Sequence, residues 1–303
     1  MIGIGAVTAP VTFAVAEKVA APVTGLIGEG AAAWTPADLT GLALWLDADD
    51  ASTITLNGSD VSQWDDKSGG GNNASQATAA FQPAYVASSI SGKSALEFDG
   101  SDDILLTSFT IPYNHTVFYI ARSDGQTGTG SLLRPVWSSQ GGDPTLVGSG
   151  ATRDPTLQLD FYILSTRITS VANSFLDNET LLAGSTYDGV ALSGFKNGSP
   201  YSTPLAVSPS GFSSATIGGD TADVTRRFHG AIGEIVMLDD AISPTDRQKL
   251  EGYLAWKWGL AENLPLDHPY RVDGSFFGYG SYRAFSPSDS DLLVTSDGDV
   301  FIV

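Results

Sequence analysis

Hydrolysis of a glycosidic bond takes two carboxyl groups that flank it, one to protonate and one to attack or activate water. The segment GEIVMLDD carries Glu234 and Asp239. On a strand, Glu234 shares its face with Val236 and Leu238, while Asp239 falls on the opposite face. One carboxylate points where two are needed, so the pattern does not predict a hydrolase. No G-x-S-x-G elbow occurs among the serines, and the chain has no cysteine. A serine elbow nucleophile and any thiolate chemistry are therefore not expected. His115, His229 and His268 lack zinc-ligand spacing and read as hydrogen-bonded structural residues. The sequence predicts no enzyme.

Binding chemistry has better candidates. Calcium takes several oxygen ligands in flexible geometry, and Asp-rich loops supply them. Such clusters occur at Asp47/Asp49/Asp50, Asp65/Asp66, Asp99/Asp102/Asp103 and Asp220/Asp223. Asp99, Asp102 and Asp103, in FDGSDD, are the metal candidates. The same run is also explained by a tight turn whose Asp side chains close onto the backbone. No EF-hand-type loop is present, and no cofactor is required. A sugar site needs an aromatic face for the apolar side of the ring and amides or carboxylates for its hydroxyls. Tyr113, Asn114, Trp137, Gln140, Asp143 and Tyr187 satisfy that description in loop-like contexts. Trp137, in RPVWSSQGGDP, reads as the most exposed aromatic, with a core position as the alternative.

The elements that must hold these residues are mostly strands. LALWLD alternates Leu42, Leu44 and Leu46 against Ala43, Trp45 and Asp47. HTVFYIAR is apolar on both faces, Val117, Tyr119 and Ala121 against Phe118 and Ile120, which predicts a strand covered on both sides. Asn197-Gly198, between Phe195 and Tyr201, predicts a type I′ hairpin tip. Many short strands separated by turn residues, with 34 glycines and 15 prolines as punctuation, predict an all-β sandwich. The exception is Ser243 to Gly259. Ser243 caps, Pro244 fits the first helical position, and Asp246 faces the helix dipole favourably. Leu250, Tyr253, Leu254 and Trp258 then share one face, Trp256 lies on its flank, and Gly259 suits a left-handed C-terminal cap. The helix is expected to lie over an open part of the sandwich.

At 303 residues the chain holds one large domain, or one domain with appendages. Its net charge of −19 opposes a nucleic-acid partner or an anionic membrane surface. Residues 1–33 are small and apolar, with no Lys or Arg before Lys18 and no uncharged stretch long enough to span a bilayer. They read as an arm that docks on another subunit through Val11, Phe13 and Val15. The alternatives are a loosely ordered terminus or an added edge strand. Residues 34–271 form the sandwich, and residues 272–303 a short β-rich tail.

LWLDADDASTI, VSQWDDKSGGGNNASQ, FDGSDD, GEIVMLDDAIS and RQKLEGYLAWKWGL followed by LPLDHPY, taken in this order, resemble a known family. It is the concanavalin A-like, laminin-G-like jelly-roll domains of bacteria and their phages. The resemblance covers roughly Leu39 to Tyr270. It implies two antiparallel sheets packed face to face as a jelly-roll sandwich, with the C-terminal helix as a structural element. Glycosidases of this class place their carboxylate pair on one strand face, which this chain does not. Laminin-G-like relatives often carry calcium at a sandwich rim. Members serve as carbohydrate-binding or adhesive modules and as modules of phage virions. The apolar arm, the tail and the lack of a basic-start leader or catalytic domain lead to one expectation. The protein is a non-enzymatic virion structural component, in tail, fibre or capsid surface, that forms homo-oligomers with other virion proteins and touches host glycan. A module of a secreted bacterial protein is the alternative, with an extracellular or cell-surface location.

Overall fold

The structure is a computed structural model. It describes residues 33–125, 133–140, 147–152, 158–163, 166–169, 176–201, 204–207, 212–221, 223–279, 293–294 and 300–301. Two antiparallel sheets form a jelly-roll-type sandwich. In the first, Leu42–Asp47 pairs with His229–Leu238, followed by His115–Ser123, Thr180–Tyr187 and Ala191–Lys196. Lys93–Asp99 continues the edge of His229–Leu238 that Leu42–Asp47 occupies, with Ile232 opposite Leu96. In the second, Leu105–Thr110 is followed by Ser214–Ile217, Leu133–Ser139, Val147–Thr152, Gln158–Ile163 and Thr166–Thr169. The short strands Asp60–Trp64 and Ala74–Ser75 bridge the two sheets at one edge.

Period-two alternation gives the first sheet two apolar faces. Leu44, Leu46, Val117, Tyr119, Leu181, Ile235 and Met237 meet Leu105, Val136, Leu159, Phe161 and Ile217 in the inter-sheet core. Trp45, Phe118, Ile120, Leu182, Val236 and Leu238, interleaved with them in sequence, point the other way. The strand expected to be covered on both sides is so covered. A register shift between Leu42 and Leu44 breaks the alternation, and Leu42 packs with the outer group.

The helix, Pro244–Lys257, covers that outer face with Leu250, Tyr253, Leu254 and Trp258. It therefore lies on the face of a central sheet and makes a third layer. Its ends match the sequence reading. Ser243 Oγ accepts the Asp246 N–H at 3.1 Å, Pro244 starts the first turn, and Gly259 takes φ 70°. Residues beyond the helix strap its outer side. Trp256 Nε1 donates to the Tyr270 carbonyl at 2.6 Å, and Phe277 of the tail is buried among Tyr253, Tyr270 and Phe276. Asn197 and Gly198 both have positive φ, 47° and 79°, as a type I′ turn requires. No helix among the described residues is long and apolar enough to cross a membrane.

Candidate functional site

Three groups of polar side chains stand out, and the first is buried beneath the helix. Glu234 points out of the sandwich core toward the helix and is 0% exposed. Trp45 Nε1 donates to Glu234 Oε1 at 2.7 Å and Trp258 Nε1 to Oε2 at 2.7 Å, while the Tyr253 hydroxyl donates to Oε1 at 3.3 Å. Lys257 Nζ lies 2.8 Å from Glu234 Oε2 and 2.6 Å from Asp47 Oδ1. Lys67 Nζ takes the other Asp47 oxygen at 2.8 Å, reaches Asp50 at 2.8 Å and sits 4.4 Å over the Trp45 ring. Gly233 leaves the space that the Trp258 indole fills; a Cβ there would lie 2.6 Å from the ring. Burial, reinforced by the Asp47 charge, raises the Glu234 pKa against the pull of Lys257. Burial by itself lowers the Lys257 pKa, and the two carboxylates outweigh it to raise the value overall.

The sequence reading gave Glu234 no carboxylate partner. The structure corrects this, because the partner comes from the neighbouring strand, where Asp47 is the register partner of Glu234. The pair is sealed, with Asp47 only 3% exposed and a lysine between the two groups. Buried in this way, the pair does not line an open groove. The signal in the sequence was the set of isolated polar residues in apolar motif segments: Asp47, Glu234 and Lys257. Asp66 of the same motifs is half-buried and accepts from the Trp45, Ser68 and Asn72 N–H groups at 2.8–3.0 Å.

The second group is the FDGSDD turn. Asp99 Oδ1 accepts the Ser101 N–H at 2.7 Å, and Asp103 Oδ2 accepts the Asp99 N–H at 2.9 Å. The turn reading is therefore realised. Asp99, Asp102 and Asp103 also each place a carboxylate oxygen within 4.8 Å of the others. Burial first, then the charges of Asp99 and Asp102, push Asp103 up to about 7. An all-oxygen, anionic set of this kind fits a hard cation such as calcium.

The third group gathers four of the six sugar-site candidates at one end of the sandwich. Tyr113 is 46% exposed; its ring stacks on Phe212 with centroids 6.2 Å apart and meets Tyr187 edge-on at 5.8 Å. Asn114 Nδ2 donates to Asp240 Oδ1 at 3.3 Å. Gly189, at φ 88°, keeps this corner open, since a Cβ there would press on Asn114 Oδ1 at 2.8 Å. Asp188 is exposed, and the N–H groups of Ala191 and Val190 hold its carboxyl below the usual range. Gln140 is half-buried, and its Nε2 donates to the Thr107 carbonyl at 3.0 Å. Gln140 also joins this end through Ser213, whose Oγ donates to its carbonyl. Tyr187 is the support of the end and not its surface: it is fully buried, with its hydroxyl on the Val207 carbonyl at 3.1 Å.

Trp137 is a correction. It lies within a strand, opposite Ile217 and Ser149, and its side chain is 1% exposed in the inter-sheet core. An enclosed indole offers no face to a sugar; it packs edge-on against His115, centroids 6.3 Å apart, beneath the surface. Asp143, Val11, Phe13 and Val15 lie outside the described residues. The histidines are structural, as read: His115 Nδ1 is 3.1 Å from the Pro112 carbonyl, His229 Nδ1 2.6 Å from Gly125 O, and His268 Nε2 3.3 Å from Glu251. Sequence reasoning missed Asp188 and Asp240, which flank Asn114 only after folding. Asp240 also lines a groove of about 400 Å³ with Asp38, Leu39, Asp239, Ile242 and Asp246.

No protein-family model and no curated protein sequence matches this chain. Solved structures do. A Trypanosoma rangeli sialidase in complex with 2,3-difluorosialic acid aligns at 18% identity over 76% of this chain and 35% of the sialidase, with a TM-score of 0.52. The binding domain of Paraclostridial Mosquitocidal Protein 1 aligns at 11% identity over 73% of this chain and 53% of that one, with a TM-score of 0.50. Domain 4 of AbnA, an extracellular GH43 arabinanase of Geobacillus stearothermophilus solved with arabinotriose, aligns at 15% identity over 69% and 98%, with a TM-score of 0.48. The chain thus spans about a third of the sialidase and about half of the mosquitocidal domain. The class defined by the fold is the antiparallel β-sandwich, in which the chain resembles the sialidase and the toxin's binding domain.

Proposed function

We propose that the protein is a non-catalytic, lectin-like sandwich that binds neutral glycan at the Tyr113 end. The carrying observation is the half-exposed Tyr113 ring, backed by Phe212 and Tyr187, with Asn114, Asp188 and Asp240 beside it. An aromatic face with adjacent amide and carboxylate acceptors matches a sugar ring with its hydroxyls. Asp38, Asp188, Asp239, Asp240 and Asp246 make this end acidic, which disfavours sialylated and other anionic sugars. One fold neighbour, a toxin's binding domain, supports a binding role. A glycan array of wild type beside Tyr113→Ala tests it. Neutral-glycan signals that fall at least about tenfold in the variant are expected; equal signals, or none in wild type, overturn it.

The setting proposed is a phage virion, on the strength of the sequence resemblance and the apolar residues 1–33, with self-association and other virion proteins as partners. A secreted bacterial module is the second setting. Co-purification of the protein with phage particles on a density gradient distinguishes them.

A further inference from the structure

We infer that Lys257 and Asp47 are joined in an intramolecular amide bond, formed by the folded protein itself with Glu234 as the proton-transferring group. The geometry is that of three reactants already in place. Lys257 Nζ stands 2.6 Å from Asp47 Oδ1 and 2.8 Å from Glu234 Oε2. Their side chains are 7%, 5% and 0% exposed. Other lysine–carboxylate pairs differ: Lys93–Asp49 is 29% and 26% exposed, Lys196–Glu179 21% and 29%, and Lys249–Asp246 28% and 40%. Water reaches those pairs and favours the separate ions.

The shell around the trio serves the reaction. Trp45, Trp258 and Tyr253 wall it off from solvent and direct their N–H and O–H groups at Glu234. Lys67 holds Asp47 Oδ2 at 2.8 Å, a fixed positive charge where an oxyanion would develop. Burying an ammonium and a carboxylate is costly, and an amide removes both charges at once. That is a driving force water-exposed pairs lack.

The step balances without any co-reactant. Glu234 takes a proton from the Lys257 ammonium, leaving a neutral amine. The amine nitrogen bonds to Asp47 Cγ. One Asp47 oxygen leaves as water, carrying two of the three ammonium protons, one of them relayed by Glu234. Glu234 returns to its starting state and keeps its three hydrogen-bond donors. The product ties the first long strand to the last turn of the helix, closing residues 47 to 257 into a ring in a chain that has no cysteine for a disulfide.

Intact-mass spectrometry of the purified, denatured full chain tests this. The expected mass is about 18 Da below the sequence mass, one water lost. Tryptic digestion should yield residues 19–67 and 250–271 as one branched species, uncut at Lys257. Lys257→Arg and Glu234→Gln should both show the full sequence mass. A cooperatively melting wild type at the full mass overturns the proposal and leaves an ion cluster. A Glu234→Gln variant that loses the water as completely as wild type overturns the role of Glu234. If a variant fails to fold, the wild-type mass and the branched peptide decide alone.

Discussion

The centre beneath the helix and the Tyr113 end are made of the same residue types, aromatic rings beside aspartate or glutamate, yet they do opposite work. At the centre every carboxylate is answered from within. Glu234 accepts from two indoles and a tyrosine, and Asp47 lies between the side-chain nitrogens of Lys257 and Lys67. No lone pair or ring face is left for a ligand. At the Tyr113 end the acids are anchored by backbone N–H groups or one amide, as Asp188 and Asp240 show, and their remaining lone pairs face water. Tyr113 stays 46% exposed with Phe212 and Tyr187 against its ring. What separates the scaffold from the proposed binding surface is thus how completely the fold itself satisfies the polar groups.

The contrast can be broken most forcefully at Glu234. Replacing it by alanine leaves the Lys257 ammonium buried beside Asp47 and strands two indole N–H groups, so unfolding free energy in urea should drop by about 3–5 kcal/mol. A loss below about 1 kcal/mol would mean the centre is not a lock.

Acid should loosen the Tyr113 end from below. Burial depresses the His115 pKa from 6.5 to about 4, so the imidazole is neutral in the folded protein at neutral pH. The unfolded chain takes up its proton first as pH falls; its bound-proton number exceeds that of the native state throughout the window. Stability is therefore lost between 6.5 and about 4. The contribution is on the order of 3 kcal/mol. Urea midpoints measured across that range should show a steeper fall for wild type than for His115→Gln. Parallel curves would place the proton elsewhere.

A smaller effect is expected from Tyr113→Ala. Glycan affinity should weaken by roughly tenfold while unfolding free energy stays within about 0.5 kcal/mol, as for a surface substitution. A large stability loss would move Tyr113 from binding surface to scaffold. An effect of similar size belongs to the FDGSDD turn. Calcium at about ten times its Kd should stabilise the fold by roughly 1.4 kcal/mol and raise the melting temperature, and Asp102→Asn should blunt the rise. An unchanged melting curve in millimolar calcium would leave the turn as backbone closure alone.

Much of this was legible before folding. Alternation in HTVFYIAR announced a strand with two covered faces, Asn197-Gly198 announced its hairpin, and Ser243, Pro244 and Gly259 marked both ends of the helix. Tyr113, Asn114, Gln140 and Tyr187 were picked out by type and do meet at one end. Trp137 was misjudged because SSQGGDP after it resembles a loop, while the ladder to Ile217 and Ser149 draws the tryptophan inside.

Local chemistry determined the elements: side-chain periodicity, turn conformation and helix capping act over a few residues, so a single sequence displays them. Only the tertiary structure decided which acids are partners. Asp47, Glu234 and Lys257 lie far apart in the chain, and their meeting depends on strand order, register and the seat of the helix. Those are properties of the packed whole, set by how two apolar faces are buried at once, and no short stretch of residues encodes them.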